Sequence, residues 1–135
     1  MADTPAANEQ ALLEAFLPLT DPHERLALIV DACAGDGLPD RSPAGADLVP
    51  GCVSRVWLRG SCASGRLHLA WDAESPLVRG LAGLICQVYQ DVPMGDVAGF
   101  RSRILTGLGL DRQMSPTRLR GLAAVELRIH QLAIA

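Results

Sequence analysis

The chain has 135 residues and a formal net charge of −3; it is 49% hydrophobic, 20% charged and only 4% aromatic. This length predicts a single domain over 1–135 with one hydrophobic core of Leu, Ile, Val and Ala. Without a basic stripe or interleaved aromatics, nucleic acid and anionic lipid are excluded as expected partners.

Residues 1–8 are small and polar without periodicity, so a loose terminus is expected there. The first ten residues hold Asp3 and Glu9 but no Lys or Arg, so the basic start of a secretory signal is missing and a cytoplasmic protein is expected. Glu9 to Phe16 reads as a short helix with Leu12, Leu13 and Phe16 on one side. Asp21-Pro22-His23-Glu24 is a strong helix start: Asp21 can cap free N–H groups, Pro22 suits the first helical position and Glu24 completes a capping box. That helix runs through Leu26, Ile29, Val30 and Cys33 and stops near Gly35.

From Ala34 to Gly51 the glycines and prolines deny any regular element, leaving a long loop that leads directly to Cys52. Long connections of this kind inside a compact domain are more often functional than accidental. A β-hairpin over about 53–71 follows, with Val56 and Leu58 alternating on one strand and Leu67, Leu69 and Trp71 on the other, joined through Gly60 to Gly65. Ser75-Pro76 opens a helix whose apolar face is Leu77, Leu81, Leu84, Ile85 and Val88. The apolar stretch from Leu77 to Val92 contains Arg79, Gln87, Gln90 and Asp91, so it is too short and too polar to span a bilayer. Pro93 to Val97 predicts one turn and Phe100 to Leu108 a short helix. Ser115-Pro116 begins a last helix to about Ala133, with Leu119, Leu122, Ala123, Leu127 and Leu132 on its buried side. The predicted order is α-α-β-β-α-α, an α+β fold with helices flanking a small antiparallel sheet.

The cysteines stand at 33, 52, 62 and 86, with no Cys-x-x-Cys pair and no nearby histidine pair, so neither zinc nor any other metal site is expected. Cytosolic thiols stay reduced, which leaves the question of which one reacts. Cys33 and Cys86 fall on apolar helical faces and read as core, while Cys62 falls in the predicted hairpin turn. Cys52 follows the conformationally free Gly51 at the end of the loop. Arg41, Arg55 and Arg59 lie near it in sequence and would favour the thiolate, and Ser54 could hydrogen-bond to the loop or to the sulfur. From these residues alone, Cys52 stays open between an inert buried thiol and a reactive one.

Gly51-Cys52-Val53-Ser54-Arg55-Val56-Trp57-Leu58 resembles the Gly-Cys-x-Ser-x-Val-Trp segment of the SufE/CsdE family of sulfur acceptors. Asp40-Arg41-Ser42-Pro43 resembles that family's basic-residue-plus-proline stretch, and Val78-Arg79-Gly80-Leu81 its Val-Lys/Arg-Gly-Leu helix segment. Ser115-Pro116-Thr117-Arg118, with Gly121-Leu122, resembles the start of its last helix. The resemblance implies a SufE-like fold and a sulfur carrier that is not an enzyme turning over alone. Cys52 would take persulfide sulfur from a SufS/CsdA-type cysteine desulfurase, stimulate it, and pass the sulfur to an iron–sulfur scaffold. Pyridoxal phosphate would belong to the desulfurase, and the carrier itself would need no cofactor. The implied molecule is a monomer or weak homodimer, with Arg41, Gly51, Ser54, Arg55 and Arg118 in loop or partner contacts. Asp47, where Asn is common in the family, would add negative charge near the thiol, and Pro50 would stiffen the approach to Gly51.

Two other readings use the same residues. A cysteine-nucleophile hydrolase or peroxidase would need an orienting histidine near Cys52, and a non-covalent helical adaptor would leave Cys52 incidental. Of the histidines, His68 reads as a surface residue, His23 as part of a first helical turn, and His130 as a late-helix residue near the C-terminal dipole. Arg118 is a cation in the first turn of the last helix, where anions are preferred. Trp57 and Trp71 read as packing on opposing strands.

Overall fold

In a computed structural model, which describes residues 4–134, four helices begin at a proline preceded by Thr, Asp or Ser: α1 (Pro5–Phe16), α2 (Pro22–Ala32), α3 (Pro76–Val88) and α5 (Pro116–Ile134). Thr4 Oγ1 accepts from the Ala7 amide at 3.1 Å, and Asp21 Oδ1 from those of His23 and Glu24 at 2.9 and 3.1 Å. Ser75 Oγ accepts from Val78 at 3.4 Å and Ser115 Oγ from Arg118 at 3.2 Å. Caps of this type each contribute about 1 kcal/mol and fix where the chain turns into a helix.

Helix α1 corrects the expectation of a loose terminus, as far as residues 4–8 go; residues 1–3 lie outside the described part. The cause is a long-range contact: Asn8 Nδ2 donates to the carbonyls of Val88 and Gln90, both at 3.1 Å, tying α1 to the end of α3.

Between α2 and α3 lies the hairpin of β1 (Val56–Ala63) and β2 (Arg66–Ala73), which turns at Ser64-Gly65 with both φ angles positive. The strands therefore run longer than expected, and Cys62 sits in β1 opposite Leu67 rather than in the turn. A third strand, β3 (Val92–Pro93), pairs antiparallel with β2 through Leu67 and Arg66, giving the order β1-β2-β3. It replaces the first part of the turn expected over Pro93 to Val97, which is otherwise a 3-10 turn at Met94–Asp96. Beside β3 the Gln90 amide copies a peptide group: its Oε1 accepts from Leu69 N at 2.7 Å and its Nε2 donates to Leu69 O at 2.9 Å. A two-residue strand plus this side chain covers the edge, which is why no strand-length pattern marks it. The helix expected over Phe100 to Leu108 contracts to α4 (Ile104–Gly107).

Helix α3 is the centre of the molecule, with every residue from Gly80 to Cys86 buried. Leu58, Leu67, Leu69 and Trp71 of the sheet join it in one core with Ile29 and Cys33 of α2 and Leu122, Val125 and Ile129 of α5. On α5 the buried face is thus turned from the one expected: Ala123 is exposed and Leu127 is 55% exposed, while Val125, Ile129 and His130 lie inside. Helix α2 packs on α3 closely enough that a Cβ at Gly80 would stand 2.5 Å from Val30 Cα. One at Gly83 would overlap Cys33 O and lie 2.6 Å from Trp71 Nε1. Backbone atoms are the obstacle at both positions, so no side-chain rotation relieves it. Gly83→Ala is expected to destabilise the fold by about 3 kcal/mol or more, read as a lower midpoint in chemical denaturation.

His130 lies late in the last helix, as expected, and is buried there. Its Nδ1 lies 3.3 Å from Arg101 NH1 and its Nε2 3.2 Å from the Tyr89 hydroxyl, which itself donates to Glu126 at 2.6 Å. These partners fit a neutral imidazole that accepts from Arg101 and donates to Tyr89. Burial lowers the His130 pKa; Arg101 adds to that shift and Glu126 opposes it. Because the folded state then binds the proton more weakly than the unfolded chain, the contribution is complete above the ordinary imidazole value. It is lost as the pH falls through the lower, folded one. The thermal midpoint should drop as the pH falls below about 6.5, and His130→Gln should make that drop shallower.

Candidate functional site

The segment expected to be a free loop is in fact strapped to the outer face of the hairpin. Leu38 N donates to Asp72 Oδ2 at 2.9 Å, and Arg41 NH1 reaches Asp72 Oδ1 at 2.9 Å and Ala73 O at 3.1 Å. The Arg41 guanidinium also stacks 4.4 Å from the Trp57 ring centroid, while Trp57 Nε1 donates to Ser42 O at 2.7 Å. Further along, Arg59 pairs with Asp40 at 3.2 Å and Asp47 at 2.8 Å, and Arg128 of α5 reaches Ala46 O at 3.4 Å. A short ladder closes the strap: Leu58 N donates to Asp47 O at 2.7 Å and Val49 N to Val56 O at 2.8 Å. Burial alone would raise the Asp72 pKa, but the Leu38 and Ala73 amides with Arg41 and Arg79 hold it below the usual carboxylate range.

Beyond Val49 the chain leaves this ladder for the short excursion that carries Cys52. Gly51 has φ +87°, a left-handed conformation that favours glycine, and it passes over α5 so that a Cβ there would be 3.8 Å from Ala124 Cβ. The turn aims the Cys52 thiol at α5, where Sγ donates to Gly121 O at 3.4 Å. The sulfur borders a cavity of about 150 Å³. Buried Val56, Val78 and Leu122 line it, together with Ser54 and with Ser115, Thr117 and Arg118 from the first turn of α5. Val53, next to the thiol, is 85% exposed.

Among the residues singled out from sequence, the structure gathers Cys52, Ser54 and Arg118 around this cavity, with Gly51 supplying the turn. Arg41 and Arg59 face Asp72 and the Asp40–Asp47 pair, and Arg55 lies 3.7 Å from Glu74. The expected cationic activation of the thiol by Arg41, Arg55 and Arg59 is therefore corrected, because none of these side chains lines its cavity. The expected influence of Asp47 is corrected likewise, since Arg59 takes up its charge. Desolvation by burial instead raises the Cys52 pKa, so the resting thiol is protonated and donates its hydrogen to Gly121 O. Arg118 is the cation lining the cavity, and its guanidinium makes no ion pair or hydrogen bond among the described residues. The sequence reading missed Val78, Ser115 and Thr117 as walls and Glu74 as a neighbour of the loop. The Ser-Pro cap was the available signal for the first turn of α5.

No histidine lines the cavity, so the geometry lacks the base that a cysteine hydrolase would need. Among the described residues, no three His, Cys, Asp or Glu side chains gather where they could hold a metal ion. No described helix is long and apolar enough to cross a membrane.

The family model for SufE, described as an Fe–S metabolism associated domain, matches residues 10–133. The chain belongs to the SufE family. It is 31% identical over 119 residues to the sulfur acceptor protein CsdE of Escherichia coli, covering 86% of this chain and 81% of CsdE. It is also 34% identical over 84 residues to an uncharacterized SufE-like protein of Mycobacterium tuberculosis, a match covering 60% of this chain and 59% of the relative's length. Among solved structures, that of a hypothetical protein from Thermus thermophilus shares the fold, with a TM-score of 0.75 at 22% identity over 94% of this chain and 93% of the other.

The thiols of this SufE-family chain differ in burial: Cys62 is exposed, Cys52 intermediate, and Cys33 and Cys86 buried. Burial pushes Cys33 up to about 11 and raises Cys86 further, with Cys33 adding to the latter shift. Alkylation by iodoacetamide at neutral pH should follow the order Cys62, then Cys52, with Cys33 and Cys86 unlabelled until the chain unfolds; peptide mapping by mass spectrometry checks it.

Proposed function

We propose that this protein is a sulfur acceptor, with Cys52 taking persulfide sulfur from a pyridoxal-phosphate cysteine desulfurase and carrying it toward iron–sulfur cluster assembly. The observation that carries the reading is a single thiol on a short loop, facing a small, largely apolar cavity that contains no base. Such a site suits holding and releasing a sulfur atom better than hydrolysing a bond. The name of the Escherichia coli relative, a sulfur acceptor protein, points the same way.

In the transfer, the Cys52 thiol gives its proton to water and the thiolate attacks the outer sulfur of a Cys–S–SH on the desulfurase. A sulfur–sulfur bond forms at Cys52 as the one on the partner breaks, and the partner cysteine leaves as a thiolate. No net oxidation occurs, so the acceptor needs no cofactor of its own; pyridoxal phosphate serves the desulfurase, where the persulfide arises. Clearing that persulfide frees the desulfurase for another cycle and so stimulates it. An iron–sulfur scaffold protein then receives the sulfur, and the acceptor works in the cytoplasm as a monomer or weak homodimer.

The protonated resting thiol fits this role, because attack requires the thiolate and therefore awaits exit from the cavity. Arg118, which lines the cavity with its guanidinium unpaired among the described residues, would attract an acidic partner surface or the anionic persulfide. Arg55 and the exposed Val53 would meet the partner next to the thiol. Arg41 would serve indirectly, by holding the strap that positions the loop.

The native chain and Cys52→Ser, each incubated with a desulfurase, pyridoxal phosphate and cysteine, separate the possibilities by intact-protein mass spectrometry. The native chain should gain one sulfur atom, reversible by reductant, and accelerate sulfide release, while Cys52→Ser should do neither. Equal sulfur uptake by both proteins, or by neither, removes Cys52 as the acceptor. Undiminished stimulation by Cys52→Ser would favour a non-covalent adaptor.

A further inference from the structure

The two edges of the sheet are covered unevenly. Beside β2, strand β3 pairs with Arg66 and Leu67, and the Gln90 amide bonds both backbone groups of Leu69. Beside β1 the strap covers only the first half of the strand. Val49 N donates to Val56 O at 2.8 Å and Leu58 N to Asp47 O at 2.7 Å. Backbone groups alternate along a strand, so with Val56 and Leu58 turned outward, those of Gly60 and Cys62 are turned outward as well. Among the described residues nothing outside the hairpin bonds to the N–H or C=O of either. Open edges are usually guarded by charge, proline or a bulge. Here Gly60-Ser61-Cys62-Ala63-Ser64-Gly65 holds neither charge nor proline, and the β1–β2 register runs without a bulge from Val56 to Ala63. Ser61, Cys62 and Ala63 are all exposed.

We propose that two copies of this chain pair edge to edge through Gly60–Cys62, with their β1 strands antiparallel about a two-fold axis at Ser61. This gives the weak homodimer proposed above its interface and rests on no step of the sulfur transfer. Self-complementarity selects a second copy as the occupant. The open run offers one outward donor and one outward acceptor on either side of Ser61. In the two-fold register, Gly60 of each copy exchanges both backbone hydrogen bonds with Cys62 of the other, and Ser61 faces Ser61 as a non-hydrogen-bonded pair. The Cys62 side chain then stands opposite a glycine, which leaves room for it. Arg59, the nearest charge on β1, is already held by Asp40 at 3.2 Å and Asp47 at 2.8 Å. It falls opposite Ala63, so the pairing brings no like charges together. A contact of so few residues makes a weak, concentration-dependent dimer. Cys52 lies before the start of β1, and Val56 to Ser61 spans about 17 Å. Both thiol loops therefore sit at opposite ends of the joined strands, clear of the axis and open to other proteins.

Sedimentation velocity over a concentration series should show the native chain passing from monomer to dimer. Ser61→Lys places two ammonium groups on facing positions at the axis and should stay monomeric over the same series. Its midpoint in chemical denaturation should match that of the native chain, because Ser61 is exposed. Disulfide trapping reads the register. In a Cys52→Ser, Cys62→Ser background, Ser61→Cys puts two thiols on facing Cα atoms about 4.5 Å apart, within the span that a disulfide bridges. With oxidised glutathione as the oxidant, the covalent dimer should form about tenfold faster than from Ala63→Cys, whose equally exposed thiols the register keeps apart. A native chain that is monomeric throughout overturns the proposal and leaves the edge to a strand of another protein. A dimer that survives Ser61→Lys overturns it too, as does equal trapping at positions 61 and 63. Sulfur uptake from a desulfurase should be the same for Ser61→Lys and the native chain, so the acceptor reading and the dimer stand or fall separately.

Discussion

The hydrogen bond from Val49 N to Val56 O divides the chain around the thiol into a fixed part and a free one. Before it, the strap lies on the outer face of the hairpin, held by a buried carboxylate, two arginines and a tryptophan. After it, the chain makes a loop just long enough to place one sulfur over the first turns of α5. Loop closure explains the value of this clamp. A tether running from α2 to β1 would leave Cys52 sampling a large volume, whereas a tether closed at Val49 restricts it to the cavity mouth. The thiol is thereby carried by a short loop built on a firmly bonded base.

That base depends on close helix packing. Gly80 and Gly83 let α2 approach α3 at backbone distance, which places Ala34 and Gly35 within reach of Arg79: its Nε donates to Ala34 O and its NH2 to Gly35 O, both at 2.7 Å. The chain leaving α2 is thus directed over the sheet toward Asp72, where the strap begins. On the other side, α5 contributes Gly121, Leu122 and Arg118 to the cavity because Ser115 and Pro116 fix the first residue of that helix. Caps and glycines far from the sulfur set its position.

Much of this was legible in the sequence. The helix starts at Asp21, Ser75 and Ser115 carry their own chemistry in adjacent residues, as does the turn into Cys52 at Gly51, so they could be read locally. What could not be read was decided by partners distant in sequence. The start of α1 depends on Asn8 meeting the end of α3, and the third strand on Gln90 acting as a peptide. The face of α5 was misjudged because Leu127 looks more apolar than His130, yet His130 finds Tyr89 and Arg101 inside while Leu127 faces water. The arginines misled for the same reason. Nearness in sequence placed three of them at the thiol, but each found a carboxylate first, and the cation beside the sulfur is Arg118, which is remote in sequence.

This partition of charge bears on how a thiol with the proposed carrier role would survive. Had Arg41 and Arg55 faced the sulfur, the thiolate would be favoured at rest and open to oxidation up to sulfinic and sulfonic acids. Here burial and a carbonyl acceptor keep the thiol protonated, and the neighbouring carboxylates neutralise the nearby cations. In the proposed transfer, reactivity would follow from a change of place rather than from a standing activation. Leaving the cavity would restore water to the sulfur and return its pKa toward the ordinary thiol value, so in the proposed transfer the thiolate would become available where a partner draws the loop out. A movement confined to the few residues after Val49 would expose the sulfur without unfolding the strap, whose hydrogen bonds lie before that residue.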